Sequence, residues 1–147
     1  MLYQRLLGHA VAFCGTALLV VRDSLQLEPS ARLVFQKLAK FLRSAQKRAE
    51  WPGTKLLHGT AATVYEYEYN EALAHLLQSM AHGLYEWRQP RFPEDLCLLR
   101  PDRNPWLVSI SHERDGYLEL QPGEYEWLRD NDREMLSILR AHQQATE

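Results

Sequence analysis

The chain has 147 residues, of which 46% are hydrophobic and 24% charged, with a formal net charge of -2. That length suits one domain with a sizeable core, and the balance is that of an ordinary globular protein. A pI near 6.3 excludes bulk attraction of the whole molecule to nucleic acid or to an anionic membrane.

The N-terminal region contains an uncharged run at residues 10–21, AVAFCGTALLVV. It is shorter than the roughly 18 residues that a spanning helix needs, and no small-residue cleavage site follows it. Leu2, Leu6, Leu7, Ala10, Val11 and Cys14 fall at helical spacing before Gly15. The reading is an initial helix, a break near Gly15 and a buried strand at residues 17–21, with no membrane role and a cytoplasmic location. Cys14 and Cys97 both sit inside apolar runs, as core thiols of a reducing compartment do, although spacing alone leaves a disulfide between them open.

Glu28-Pro29-Ser30 opens a helix that the pattern carries to about Glu50, where Trp51-Pro52-Gly53 ends it. Val34, Phe35, Leu38, Phe41, Leu42, Ala45 and Ala49 form its apolar arc. Arg32, Lys40, Arg43 and Lys47 gather opposite as a basic stripe, read as a solvated face because no aromatic residues interleave with it; nucleic acid is not the expected partner.

Residues 60–69, TAATVYEYEY, alternate as a strand. Tyr65, Tyr67 and Tyr69 share one face, expected to be core, and Val64, Glu66 and Glu68 share the other. Asn70 caps a helix whose Leu73, Leu76, Leu77, Met80 and Leu84 lie on one side. His75 and His82 lack companion ligands at metal spacing and are read as solvated.

Residues 92–120, FPEDLCLLRPDRNPWLVSISHERDGYLEL, are the most informative stretch. Leu96 to Leu99 read as a strand covered on both faces, Trp106 to Ser111 as an alternating strand, and Tyr117, Leu118 and Leu120 as a third. Asp115-Gly116 is the expected two-residue hairpin turn. Two polar knots flank this three-stranded antiparallel meander, Glu94-Asp95 and His112-Glu113-Arg114. Strand alternation would send His112 and Glu113 to opposite faces, whereas antiparallel pairing brings Glu94 or Asp95 toward the end of the second strand. Asp95–His112 and Glu94–Arg114 contacts are therefore expected, read first as a network bracing the hairpin end.

The segments PEDL, WLVSISHE and GYLEL together resemble a group of small, uncharacterised bacterial proteins over residues 84–120. That group is similar in size and composition to immunity proteins that neutralise bacterial toxins. The resemblance implies a protein-binding module.

Residues 124–147 are helical in character, with Asp130-Asn131-Asp132 able to interrupt the helix and fraying from His142 onward. The whole chain, residues 1–147, reads as a single α+β domain: a mainly antiparallel sheet with a C-terminal three-stranded meander, packed by three or four helices. No GxSxG, HExxH, P-loop, paired CxxC or GxGxxG motif occurs. The expectation is a protein that binds another protein, an immunity-type inhibitor or defence accessory, rather than an enzyme, with no cofactor or metal assigned. Its contact residues would be Glu66, Glu68, Trp87, Glu94, Asp95, Glu113 and Arg114. The alternatives are a small enzyme or ligand-binding domain using His112 with Asp95 or Glu113, or a subunit of a larger assembly.

Overall fold

The computed structural model describes the backbone of residues 1–143 and the side chains of residues 1–139. In chain order the elements are α1 (Leu2–Ala10), β1 (Thr16–Arg22), α2 (Ala31–Leu38), β2 (Leu42–Arg48), β3 (Glu50–Trp51), β4 (Thr54–Lys55), β5 (Ala62–Glu68), α3 (Glu71–Met80), β6 (Glu94–Leu99), β7 (Pro105–Ile110), β8 (Asp115–Leu120), α4 (Pro122–Asn131), α5 (Arg133–Ile138) and β9 (Arg140–Gln143). Seven strands form one sheet in the order β2-β5-β1-β6-β7-β8-β9, and β3 pairs with β4 as a separate hairpin. Every pairing is antiparallel except that of β8 with β9, which is parallel. The expected α+β domain and its C-terminal meander are both present.

The sheet is covered on both faces. On one, α1 to α5 bury Leu6, Leu38, Leu73, Leu77, Leu128 and Met135 against Leu19, Tyr67, Leu96, Leu98 and Leu118. On the other, Trp51 from the β3–β4 hairpin packs with Leu18, Val20, Val64, Cys97 and Val108. The apolar run at residues 17–21 is thus central strand β1, which needs apolar side chains in both directions. No helix among the described residues is long and apolar enough to cross a membrane. Tyr65, Tyr67 and Tyr69 face the helices, and Cys14 and Cys97 are free, buried thiols. Asn70 caps α3 by accepting the Leu73 N–H at 2.9 Å.

Three sequence readings need correction. The helix expected to reach Glu50 ends at Leu38, followed by a short 3-10 turn at Ala39–Phe41 and edge strand β2. Backbone pairing with β5 along Leu42–Arg48, with ion pairs beside it, outweighs local helix propensity there. Arg43 lies 3.5 Å from Glu68 and Arg48 3.4 Å from Glu66, while Lys47 reaches Asp23 at 2.6 Å. The basic stripe of Arg32, Lys40, Arg43 and Lys47 therefore does not exist as one helical face. Second, the β7–β8 connection is not a two-residue Asp115-Gly116 turn. It is a 3-10 turn at Ser111–Glu113 closed by Arg114 in the left-handed region (φ 52°), and Asp115 and Gly116 belong to β8. Third, the C-terminal helix breaks at Asp132 as expected, but residues 140–143 form β9, which lacks the alternation that would have marked it. The expected fraying beyond residue 143 lies outside the described residues.

Two local devices set the geometry of the sheet's ends. Gly53 turns the β3–β4 hairpin at φ 86° and sits so close to β7 that a Cβ would lie 2.6 Å from Val108 Cγ1. The hairpin is thereby held flat on the sheet. At the opposite end, buried Arg100 grips Glu124 with both arms of its fork, one contact at 3.0 Å, and donates to Pro105 O at 2.8 Å and to Glu119 O. It ties α4 to β7 and β8. Glu124→Ala would strand that guanidinium in the core and is expected to lower unfolding free energy by about 3–5 kcal/mol. Replacing both partners with Met and Leu should cost much less, as urea denaturation of the single and double variants would show.

Candidate functional site

The two polar knots meet where β1, β6 and the β7–β8 turn end together under the β3–β4 hairpin. Val20 pairs with Glu94 and Leu18 with Cys97, so the register slips by one residue between them. That slip is a β-bulge, and Asp95 occupies it with φ 55°. Regular alternation would point Glu94 and Asp95 to opposite faces; the bulge turns both carboxylates to the hairpin side. Aspartate tolerates the left-handed region better than most residues, which suits it to this position.

Arg22, the last residue of β1, faces both acids. Its Nε lies 3.1 Å from Glu94 Oε2, and its Nη2 lies 3.6 Å from Asp95 Oδ2 and 3.5 Å from His112 Nδ1. The guanidinium also lies over the Trp51 ring, 5.4 Å from its centroid. Asp95 is fully buried. It accepts hydrogen bonds from Trp51 Nε1 at 3.1 Å and from the Ser111 N–H at 2.9 Å. Glu94 is 1% exposed and accepts from the Gln89 N–H through Oε1 at 3.3 Å. Gln89 accepts from the Arg22 N–H at 2.7 Å, fixing the end of β1 against the segment leading into β6.

Glu94 Oε2 is different from its neighbours. Although 3.1 Å from Arg22 Nε, the two atoms are misaligned, and neither has a hydrogen-bond partner within the protein. Ser111 Oγ is likewise buried without one. Three of the six such side-chain atoms among the described residues therefore belong to residues of this one site. Burial, and then the Asp95 charge, push the Glu94 carboxyl above the usual carboxylate range, with Arg22 opposing them.

Glu94, Asp95 and His112 each offer one ligand atom, and these atoms lie within 4.8 Å of one another. This overturns the expectation of a non-enzymatic protein. A His/Asp/Glu triad positioned to take a metal ion is more typical of catalytic centres than of inert contact surfaces. The Asp95–His112 approach expected from antiparallel pairing is present. Glu94, however, pairs with Arg22 and not with Arg114. His112 and Glu113 lie in the 3-10 turn, not on a strand, and come within 3.9 Å of each other.

The remaining contact candidates separate. Trp87 is fully buried and donates to the Tyr3 hydroxyl at 2.9 Å. It is a core residue, tilted against Phe92 with ring centroids 5.1 Å apart. Glu94 and Asp95 are equally inaccessible as contact surface. Glu66 is buried and held by Arg48, Arg103 and Ser44. Glu68, Glu113 and Arg114 are exposed. Sequence reasoning missed Arg22, Trp51, Gln89 and Ser111. Arg22 had one signal: a charge closing an apolar strand must be paired if it is buried.

No protein-family model matches the chain, and no curated protein or solved structure shows significant similarity to it.

Two expected outcomes follow from the geometry of the site. Asp95→Ala removes the acceptor for Trp51 and Ser111 and the tolerance for φ 55°, and should cost about 2–4 kcal/mol in urea denaturation. Asp95→Asn keeps the tolerance for φ 55° but only one of the two acceptors, because Trp51 Nε1 and the Ser111 N–H meet different oxygens, and should cost less than Asp95→Ala. For Glu94, the folded chain retains a proton at pH values where the unfolded chain has released it. Stability relative to Glu94→Gln should therefore fall as pH rises from the ordinary glutamate value through the raised one. A constant difference between the two proteins across that window would contradict the assignment.

Proposed function

We propose that this protein is a small enzyme whose reaction centre is Glu94, Asp95 and His112, acting with a divalent metal ion. The observation that carries the reading is the convergence of three ligand atoms within 4.8 Å, with the buried Glu94 Oε2 facing Arg22 Nε at 3.1 Å but making no aligned hydrogen bond. A carboxylate fully used in a structural bridge accepts aligned hydrogen bonds at both oxygens.

Two carboxylate oxygens and one imidazole nitrogen suit Mn²⁺ or Zn²⁺ better than a soft metal. Ligand atoms about 2.1 Å from one ion can be at most about 4.2 Å apart. The triad therefore needs only a small closure, which His112 can supply because its side chain is 38% exposed on a turn. When bound, the ion would polarise a substrate oxygen or lower the pKa of a water toward neutrality, the chemistry of metal-assisted hydrolysis. Asp95, held by Trp51 and Ser111, is the preorganised ligand; Glu94 and His112 close onto the ion. His112 also stands at the solvent side of the triad, where a general acid or base would reach a reacting group.

Calorimetric titration of the purified protein with MnCl₂ and with ZnCl₂ tests the reading. Saturable one-to-one binding is expected for at least one ion. It should weaken by at least about tenfold in His112→Ala and in Glu94→Gln and stay unchanged in Glu68→Ala. Hydrolysis of a simple ester or phosphodiester should require the ion and be lost in His112→Ala. Failure of the wild type to bind either ion up to millimolar concentration would end the metal reading.

A further inference from the structure

The guanidinium of Arg22 is within reach of every member of the triad: 3.1 Å from Glu94 and 3.6 Å from Asp95, and 3.5 Å from His112. A divalent ion held by the same residues would sit close to a fixed positive charge. Two carboxylates, a divalent ion and a guanidinium sum to one positive charge with a neutral imidazole, so the arrangement favours an anion beside the metal. The hydrogen bonding agrees. Arg22 Nε meets Glu94 Oε2 at 3.1 Å as an ion pair without an aligned hydrogen bond. Ser111 Oγ is buried with no hydrogen-bond partner in the protein, its backbone pinned to Asp95 at 2.9 Å. The guanidinium and the hydroxyl are thus donors that an oxyanion could meet beside the ion.

Building on the metal-centre reading above, we propose that the ligand of this site is a divalent ion together with a phosphate-type oxyanion, anchored by Arg22. A phosphoryl group has enough oxygens to meet the ion, the guanidinium fork and a hydroxyl at once; a carboxylate has only two. Arg22 then has two opposed effects. It weakens binding of the bare ion through repulsion and strengthens binding of the ion with its oxyanion. Substrates would be phosphate esters whose phosphoryl oxygens reach the site past His112.

The test is titration of the full chain with MnCl₂ in phosphate-free buffer, repeated with inorganic phosphate and with acetate. In the wild type, phosphate should tighten Mn²⁺ binding by about 5- to 150-fold, and acetate should tighten it much less. Arg22→Gln should bind Mn²⁺ as tightly as the wild type or more so, and lose the phosphate effect. Arg22→Lys, which keeps the charge without the fork, provides the same reading if circular dichroism shows Arg22→Gln unfolded, and should show a reduced phosphate effect. The proposal is overturned if phosphate leaves wild-type Mn²⁺ affinity unchanged, if acetate matches phosphate, or if either variant keeps the full effect. Those results leave the metal centre standing, whereas a wild type that binds no Mn²⁺ with or without phosphate removes both.

Discussion

The contact between Arg22 and the Glu94-Asp95 pair is the constraint around which this end of the molecule is arranged. Two adjacent carboxylates at 1% and 0% exposure would be prohibitively costly without a counter-charge. The guanidinium can supply it only because β1 ends at Arg22 beside β6, and because the bulge at Asp95 brings both acids to one side. The surrounding features support that contact. Trp51 roofs the guanidinium and hydrogen-bonds Asp95, and Gly53 lets its hairpin lie close enough to do so. Gln89 accepts the Arg22 backbone N–H with its side-chain oxygen and donates its own backbone N–H to the Glu94 carboxylate.

The central position of β1 explains how one strand can both stabilise the domain and carry the charge that the two acids face. Its side chains alternate between two cores: Ala17 and Leu19 toward the helices, Leu18 and Val20 toward the hairpin. A strand buried on both faces is rigid, and its end is correspondingly well placed. Sites mounted on such elements hold their geometry better than sites mounted on free loops. His112 is the exception, carried on a turn with a partly exposed side chain. The cluster thus joins two buried carboxylates on a strand to one partly exposed imidazole on a turn.

The parts of the fold legible in the sequence are those governed by local pattern. The meander, the Tyr65–Tyr67–Tyr69 face, the Asn70 cap and the Gly15 break follow from alternation, helical spacing and cap chemistry. The failures share a different cause. β2 looked helical because LRSAQKR carries an acceptable apolar arc, and only its long-range pairing with β5 makes it a strand. Asp115-Gly116 is a good turn dipeptide that was outcompeted by a left-handed Arg114 one step earlier. The polar knots were visible as candidates and their approach was predictable from antiparallel pairing. Their chemistry was not, because it depends on a bulge that aligns neighbouring acids and on an arginine some seventy residues earlier in the chain.

The molecule contains its own comparison for judging whether this cluster is structural. Arg100 and Glu124 are also a buried ion pair, and there the geometry is closed: the fork meets both carboxylate oxygens, and the remaining donors meet the Pro105 and Glu119 carbonyls. That is how a bracing salt bridge offsets its desolvation. At Arg22 and Glu94 the charges are equally close to the core, yet Nε and Oε2 face each other without a hydrogen bond and Ser111 Oγ has none either. A bracing network left half-satisfied is worse than an apolar core of the same shape. The same fold that satisfies Arg100 completely leaves these buried atoms of the Arg22 cluster without hydrogen bonds, beside the one partly exposed member, His112.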